Sequence, residues 1–118
     1  MAFLILSAGR DSNLLKQRSA VLRQAGYDVV VAGNSPDLVN RLFNGDFDLV
    51  LLCDSMRAEE RRRLTAIVKG HTPSTPVVVI HSEEEMVDQI DDEGILCRPE
   101  SVLEAVREAL PHAPPTAA

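Results

Sequence analysis

The stretch DLVLLCDSM (48–56) carries a thiol, Cys53, and a carboxylate, Asp54, directly after a run of apolar residues. A carboxylate at such a position can bind a divalent cation or accept a transferred group, and a thiol can act as a nucleophile when it ionises. Neighbouring residues of a strand point to opposite faces, so the two groups could serve the same position only if the strand has ended or bulged there. The other candidates follow similar apolar runs and are Ser7 with Ala8, His81 with Ser82, and Arg98.

Apolar runs alternate with helical patterns from one end of the chain to the other. The runs are 3–6, 27–32, 47–53, 76–81 and 95–97. They are apolar on both faces, which is typical of parallel strands covered by crossover helices on each side. Such β-α units predict a doubly wound α/β sandwich with a five-stranded parallel sheet, of the flavodoxin-like class. Ligands of such sheets bind beyond the carboxyl ends of the strands, where the candidate residues fall.

Capping residues indicate where the helices begin and end. Asp11 or Ser12 can cap the first helix, which stops at Gly26 because glycine tolerates a left-handed cap. Ser35, which precedes a proline, predicts the start of the second helix. A charged helix is predicted over about 57–69. Two further helices are predicted from S-x-x-E capping boxes, at Ser82 with Glu85 and at Ser101 with Glu104. The apolar side of the first helix is formed by Leu14, Leu15, Val21 and Leu22.

Composition and charge exclude several classes of function. The 118 residues predict one domain, over 1–110, followed by a flexible Pro/Ala tail over 111–118. A net charge of -6 argues against a nucleic-acid surface, and no apolar run approaches the roughly 18 residues of a membrane span. Cys53 and Cys97, the two cysteines, suit reduced thiols. We therefore expect a cytoplasmic protein with neither nucleic-acid nor membrane partners.

Several segments resemble the receiver domain of two-component response regulators, and the resemblance extends over residues 2–110. The segments are AGYDVVVAGN (25–34), DLVLLCDSM (48–56), TPVVVIHS (75–82) and the Arg-Pro pair at 98–99. The resemblance implies a sheet in the strand order 2-1-3-4-5. It also implies phosphoryl transfer from a histidine kinase to one Asp, with an acidic pair for Mg²⁺, a Thr or Ser at the fourth strand and a Lys at the fifth.

The positions that would carry this chemistry are altered. Asp48 and Met56 match the residues that flank the acceptor in the family, and they place the acceptor at Cys53, so Asp54 lies one residue too late. The acidic pair is replaced by Ser7 and Ala8, the hydroxyl residue by His81, with Ser82 beside it, and the Lys by Arg98. The resemblance thus implies a degenerate receiver, or pseudo-receiver, that is not an enzyme and uses neither metal nor cofactor.

The first interpretation is a receiver-like module of phosphorelay signal transduction that works by protein contact. Its partners would be signalling proteins, such as a histidine kinase or an output protein, and it could form a homodimer. The alternatives are a response regulator phosphorylated at the displaced Asp54 and a redox sensor with a reactive thiol at Cys53. A small enzyme of the same fold is a further alternative, for which the sequence offers no convincing nucleophile and base.

Two charged segments each allow a simple interpretation. EERRR (59–63) is interpreted as a solvated helix face with local ion pairs. The segment 82–94 is either a solvated acidic helix or a docking face for a basic partner. The residues of that docking face are Glu83, Glu84, Glu85, Asp88, Asp91 and Asp92.

Overall fold

Strands and helices alternate along the chain, and the computed structural model describes residues 3–53, 56–81 and 94–110. The strands are β1 Leu4–Ala8, β2 Asp28–Ala32, β3 Leu49–Leu52, β4 Val77–Ile80 and β5 Ile95–Cys97. The helices in these ranges are α1 Ser12–Gln24, α2 Ser35–Phe43, α3 Ala58–His71 and α4 Val102–Ala109, the last preceded by a 3-10 turn, Pro99–Ser101. None of them is long and apolar enough to cross a membrane.

All strand pairs are parallel, and the strand order is β2-β1-β3-β4-β5, which confirms the predicted α/β fold and topology. Along β3, Leu49 and Leu51 pack in the layer that α1 and α4 cover, whereas Val50 and Leu52 pack in the layer that α2 and α3 cover. All four side chains are fully buried, and burial of each contributes roughly 1.5–3 kcal/mol. Cys53 therefore follows a strand at the centre of the core.

Asp48 determines where β3 begins. Its carboxylate Oδ2 accepts a hydrogen bond from the Leu4 N–H at 2.7 Å. Its own N–H donates to the Leu4 carbonyl at 2.8 Å. These bonds join the amino ends of β1 and β3, so Asp48 has a structural role at the edge of the sheet opposite the candidate site.

The ends of α1 are formed as predicted, but its apolar side differs. Asp11 Oδ1 accepts hydrogen bonds from the N–H groups of Asn13 at 2.9 Å and Leu14 at 3.2 Å. Gly26 follows with φ 101°, the left-handed conformation expected after a helix. The buried side of α1 consists of Leu15, Ser19 and Leu22, which are spaced by four and then three residues. Val21 was predicted to share the apolar side of this helix, but its side chain is 47% exposed, so that prediction was wrong.

The capping prediction for α2 was wrong, and that for α4 was confirmed in part. The N-cap of α2 is Asn34 and not Ser35, because Asn34 Oδ1 accepts from the Asp37 N–H at 2.8 Å. Ser101 is the N-cap residue of α4, as predicted, but its side chain makes no capping hydrogen bond, so the predicted capping box is not formed. The capping box and helix predicted from Ser82 lie outside the described residues.

Candidate functional site

The parallel sheet brings the ends of its strands to one edge, and there Ser7 and Cys53 lie side by side. The Cys53 N–H donates to the Ala8 carbonyl at 2.8 Å, which extends the β1–β3 ladder by one residue. Cys53 Sγ lies 3.8 Å from Ser7 Oγ, and both residues have 0% exposed area. Cys53 is thus a fully buried side chain at the end of β3 that packs in the layer of α1 and α4.

Burial makes Cys53 a poor candidate for a reactive thiol. Redox-sensing cysteines are accessible to solvent and ionise readily, whereas a thiol in apolar surroundings resists ionisation. Cys53 and Cys97 are both buried and form no disulfide. The burial of Cys53 therefore favours a packing role over the redox alternative.

Residues 54 and 55 lie outside the described residues, so phosphorylation at Asp54 remains an untested prediction. The chain is described again from Met56, whose N–H donates to the Cys53 carbonyl at 3.1 Å. The Met56 side chain is buried in the layer of α2 and α3. Ser82 and the acidic docking face also lie outside the described residues.

At the same edge of the sheet, a polar cluster that the sequence did not predict connects the segment after β1 with the amino ends of α2 and α3. Arg10 follows β1, Ser35 begins α2, and Glu60 lies in the first turn of α3. The Glu60 carboxylate accepts two hydrogen bonds from Arg10, from Nε and Nη2, each at 3.0 Å, and it accepts a third from the Ser35 hydroxyl. The Glu60 side chain is 11% exposed and that of Arg10 58%.

Two residues of EERRR are thus buried, and its interpretation as a solvated helix face was wrong for them. Glu60 turns toward Arg10, which is 50 positions away in sequence. Arg61 is also buried, and its Nη1 donates to the carbonyl of Ile80 at the end of β4. A run of charged residues has no apolar periodicity that would indicate which of them are buried. The sequence signal for this ion pair was therefore weak, and consisted of a basic residue, Arg10, shortly after the first strand.

The ion pair shifts the pKa values of both partners. The hydrogen bond from Arg10 lowers the pKa of the Glu60 carboxyl; burial opposes this shift, and the Ser35 hydroxyl with the charges of Arg10 and Arg63 adds to it. The same hydrogen bond raises the pKa of the Arg10 guanidinium. A carboxyl whose pKa is lower in the folded state stabilises the fold above its unfolded pKa. That contribution is lost as the pH falls through the folded pKa.

We expect Glu60→Gln to reduce the free energy of unfolding at neutral pH by about 1 kcal/mol, because a charged hydrogen bond is lost but its Arg10 end is screened by water. The variant should also lose less stability than the wild type as the pH falls below 4.5, the ordinary pKa of this carboxyl. Urea unfolding across this pH range measures both effects. Glu59→Gln, at the exposed neighbouring position, is the control. Equal behaviour of the two variants would show that the cluster does not stabilise the fold.

His81 and Arg98 lie together at the ends of β4 and β5. The His81 N–H donates to the Cys97 carbonyl at 3.0 Å. His81 and Arg98 line a hollow of about 320 Å³ between the sheet edge and α4, together with Cys97 and Glu104. Arg98 is exposed, and its Nη1 lies 3.9 Å from Glu100 Oε2. In the sheet, strand β4 lies between β5, which borders this hollow, and β3, which leads to Cys53.

The described residues offer no cation site at this edge. Within 3–53, 56–81 and 94–110, no three His, Cys, Asp or Glu side chains are grouped so that they could hold a metal ion. Asp11 caps α1, and the Glu60 carboxylate already accepts bonds from Arg10 and Ser35. The predicted pocket residues Ser7, Ala8, Cys53, His81 and Arg98 do share the edge, but they contribute no carboxylate.

Comparison with known proteins places the fold among response regulator receiver domains. No family model matches the sequence, and no curated protein matches it. Chemotaxis protein CheY4 of Vibrio cholerae has a TM-score of 0.78 and 16% identity, with 93% of this chain and 100% of that chain covered. The receiver protein from Sinorhizobium medicae has a TM-score of 0.76 and 20% identity, with 92% and 94% covered.

A third similar structure is the response regulator TrrA from Thermotoga maritima, in complex with Mg²⁺-BeF. Its TM-score is 0.74 and its identity 18%, with 93% of this chain and 100% of that chain covered. These likenesses establish that the chain has the receiver fold, as the sequence resemblance implied. The chemistry of the site has to be argued from the residues of this chain.

Proposed function

We propose that this protein is a receiver-like module of two-component signal transduction that acts by protein contact, without phosphoryl transfer to the usual acceptor position. The observation that carries the proposal is the full burial of Cys53 at the end of the central strand β3. Cys53 stands where the resemblance puts the acceptor Asp, and a buried thiol beside a serine hydroxyl cannot replace that carboxylate.

The surroundings of Cys53 support the same conclusion. Phosphoryl transfer depends on positioning and on neutralising the charge of the transferred group, usually with Mg²⁺ held by carboxylates. Ser7 and Ala8 occupy the place of the acidic pair and are fully buried. Glu60, a carboxylate at this edge, is neutralised by Arg10. The guanidinium thus supplies within the chain a positive charge that a receiver would take from a metal ion.

In this proposal, contact with other signalling proteins provides the function. The proposed partners are a histidine kinase or an output protein, with a homodimer as a second mode of assembly. The acidic docking face of Glu83, Glu84, Glu85, Asp88, Asp91 and Asp92 would suit a basic partner surface, because opposite charges accelerate association and select partners. Such a module would work in one state, since nothing would switch it by phosphorylation.

We expect no saturable binding of Mg²⁺ in the low-millimolar range, and no binding of Mg²⁺ with beryllofluoride, because the described residues at this edge include no group of carboxylates to hold the ion. Isothermal titration calorimetry measures both. A phosphorylatable receiver domain tested in the same buffer shows that the assay detects binding.

The matched variant for this experiment is Asp54→Ala. Saturable Mg²⁺ binding by the wild type that disappears in Asp54→Ala would contradict the proposal, since it would show that the displaced carboxylate completes a metal site. Weak, non-saturating heat that is identical in both proteins would agree with the proposal.

A further inference from the structure

A groove of about 580 Å³ runs between α2 and α3, and Ser35 and Glu60 of the polar cluster form one end of it. Its floor is apolar and consists of Val39, Leu64 and Ile67, with Phe43 at one end. Phe43 is 56% exposed, which is unusual for so large an apolar side chain. Exposed aromatic residues beside an apolar groove are typical of protein interaction sites.

Both ends of the groove are held in place by contacts within the chain. At the amino ends of the two helices, Ser35 and Glu60 line the groove and are fixed by the bonds that Glu60 accepts. At the carboxyl ends, the Phe43 ring stacks on His71, with centroids 4.3 Å apart and planes inclined by 12°. The stack on His71 favours this orientation of the exposed ring before any partner binds, which reduces the entropy lost on binding.

The length of the groove fits two turns of an α-helix. Ser35 and Phe43 are eight residues apart on α2, which at 1.5 Å per residue corresponds to about 12 Å. Apolar side chains at positions i, i+4 and i+7 of a bound helix span about 10.5 Å along its axis. One such stripe can thus reach from the polar end of the groove to Phe43.

The charges that line the groove favour an acidic partner. They are Glu60 and Arg63. Glu60 already forms an ion pair with Arg10, so the exposed guanidinium of Arg63 leaves an excess of positive charge. The amino ends of α2 and α3 lie at this end of the groove and add positive partial charge from their helix dipoles.

We propose that the groove between α2 and α3 is the docking site for an amphipathic α-helix of a partner protein, with apolar residues at i, i+4 and i+7 and a carboxylate placed beside Arg63. The groove shares Ser35 and Glu60 with the polar cluster at the sheet edge, but the proposal does not depend on whether phosphorylation is lost. It adds a helix to a pair of parallel helices, so that the exposed half of Phe43 becomes buried.

The test uses a phage-displayed library of helical peptides that is selected on the wild-type protein and then counter-selected on Phe43→Asp. We expect the enriched peptides to share the apolar i, i+4, i+7 pattern with an acidic residue at one end. Fluorescence anisotropy then gives their affinities for purified variants. Phe43→Ala and Arg63→Glu should each weaken binding by about tenfold or more, which is 1.4 kcal/mol. A peptide whose acid is replaced by Lys should bind Arg63→Glu better than the wild type.

Val21→Ala is the control, because Val21 is a similarly exposed apolar residue on α1, which packs on the other face of the sheet. Circular dichroism shows whether each variant folds, and both Phe43 and Arg63 are exposed, so their substitution should leave the fold intact. Three results would overturn the proposal: enrichment of no helical pattern, equal affinity for Phe43→Ala and wild type, or a dimer in sedimentation that dissociates in Phe43→Ala. The last would assign the groove to a second copy of this chain.

Discussion

Incubation with acetyl phosphate or a phosphohistidine donor in the presence of Mg²⁺ is expected to leave the intact mass of this protein unchanged. The resemblance to receiver domains puts the acceptor at Cys53, which is buried, and the described residues contain no group of carboxylates that could hold the metal. Arg98 supplies one positive charge, whereas several negative charges develop on the oxygens of the transferred phosphoryl group. The loss of metal stabilisation costs on the order of several kcal/mol, which corresponds to several decades in rate.

Asp54→Asn is the matched variant for this measurement, since it removes the displaced carboxylate and preserves its size. We expect wild type and Asp54→Asn to give the same spectrum and to bind partners equally well. Stoichiometric addition of one phosphoryl group to the wild type, mapped to Asp54 and dependent on Mg²⁺, would disprove the pseudo-receiver proposal and establish a response regulator with a shifted acceptor. Addition of oxygen at Cys53 under mild peroxide, together with altered partner affinity, would instead favour redox sensing.

Replacing Cys53 with Asp, the residue that the resemblance to receiver domains implies at this position, is expected to destabilise the fold by about 3–5 kcal/mol at neutral pH. An unpaired carboxylate in a fully buried site has an energy cost of this size. Ser7 offers one hydroxyl group, whose oxygen lies 3.8 Å from Cys53 Sγ. Restoring the acceptor alone should therefore neither recover phosphorylation nor leave the protein as stable as the wild type.

Cys53→Asn and Cys53→Ala separate charge from size. Burial raises the pKa of an introduced Asp above its unfolded value, so the penalty relative to Asn is absent below about pH 3.9 and grows as the pH rises through the folded pKa. Urea unfolding at about pH 5 and at about pH 7 should show the difference between Asp and Asn increasing with pH. If Cys53→Asp were as stable as Cys53→Ala, and Mg²⁺ raised its melting temperature, an intact cation site would be present.

The class of fold could be predicted from the amino-acid sequence. Runs such as LVLL in β3 are apolar at every position, and only strands covered on both faces satisfy that pattern, so a parallel sheet with crossover helices followed directly. The strand order came from the resemblance to receiver domains and was confirmed. The positions of Cys53 and Arg98 at the edge of the sheet could also be predicted, because strand ends are visible in a sequence.

The pairing of charged side chains, in contrast, could be seen only in the tertiary structure. Arg10 and Glu60 are far apart along the chain, and neither has a periodic pattern that predicts a partner. The same holds for Ser35, whose hydroxyl bonds Glu60 while Asn34 caps the helix, since both residues are acceptable caps by local chemistry. Phe43 is the last residue of α2 and is exposed, whereas Leu38 and Leu42 of the same helix are buried. Periodicity shows which face of a helix is apolar, but the packing of neighbouring helices determines how far that face is covered.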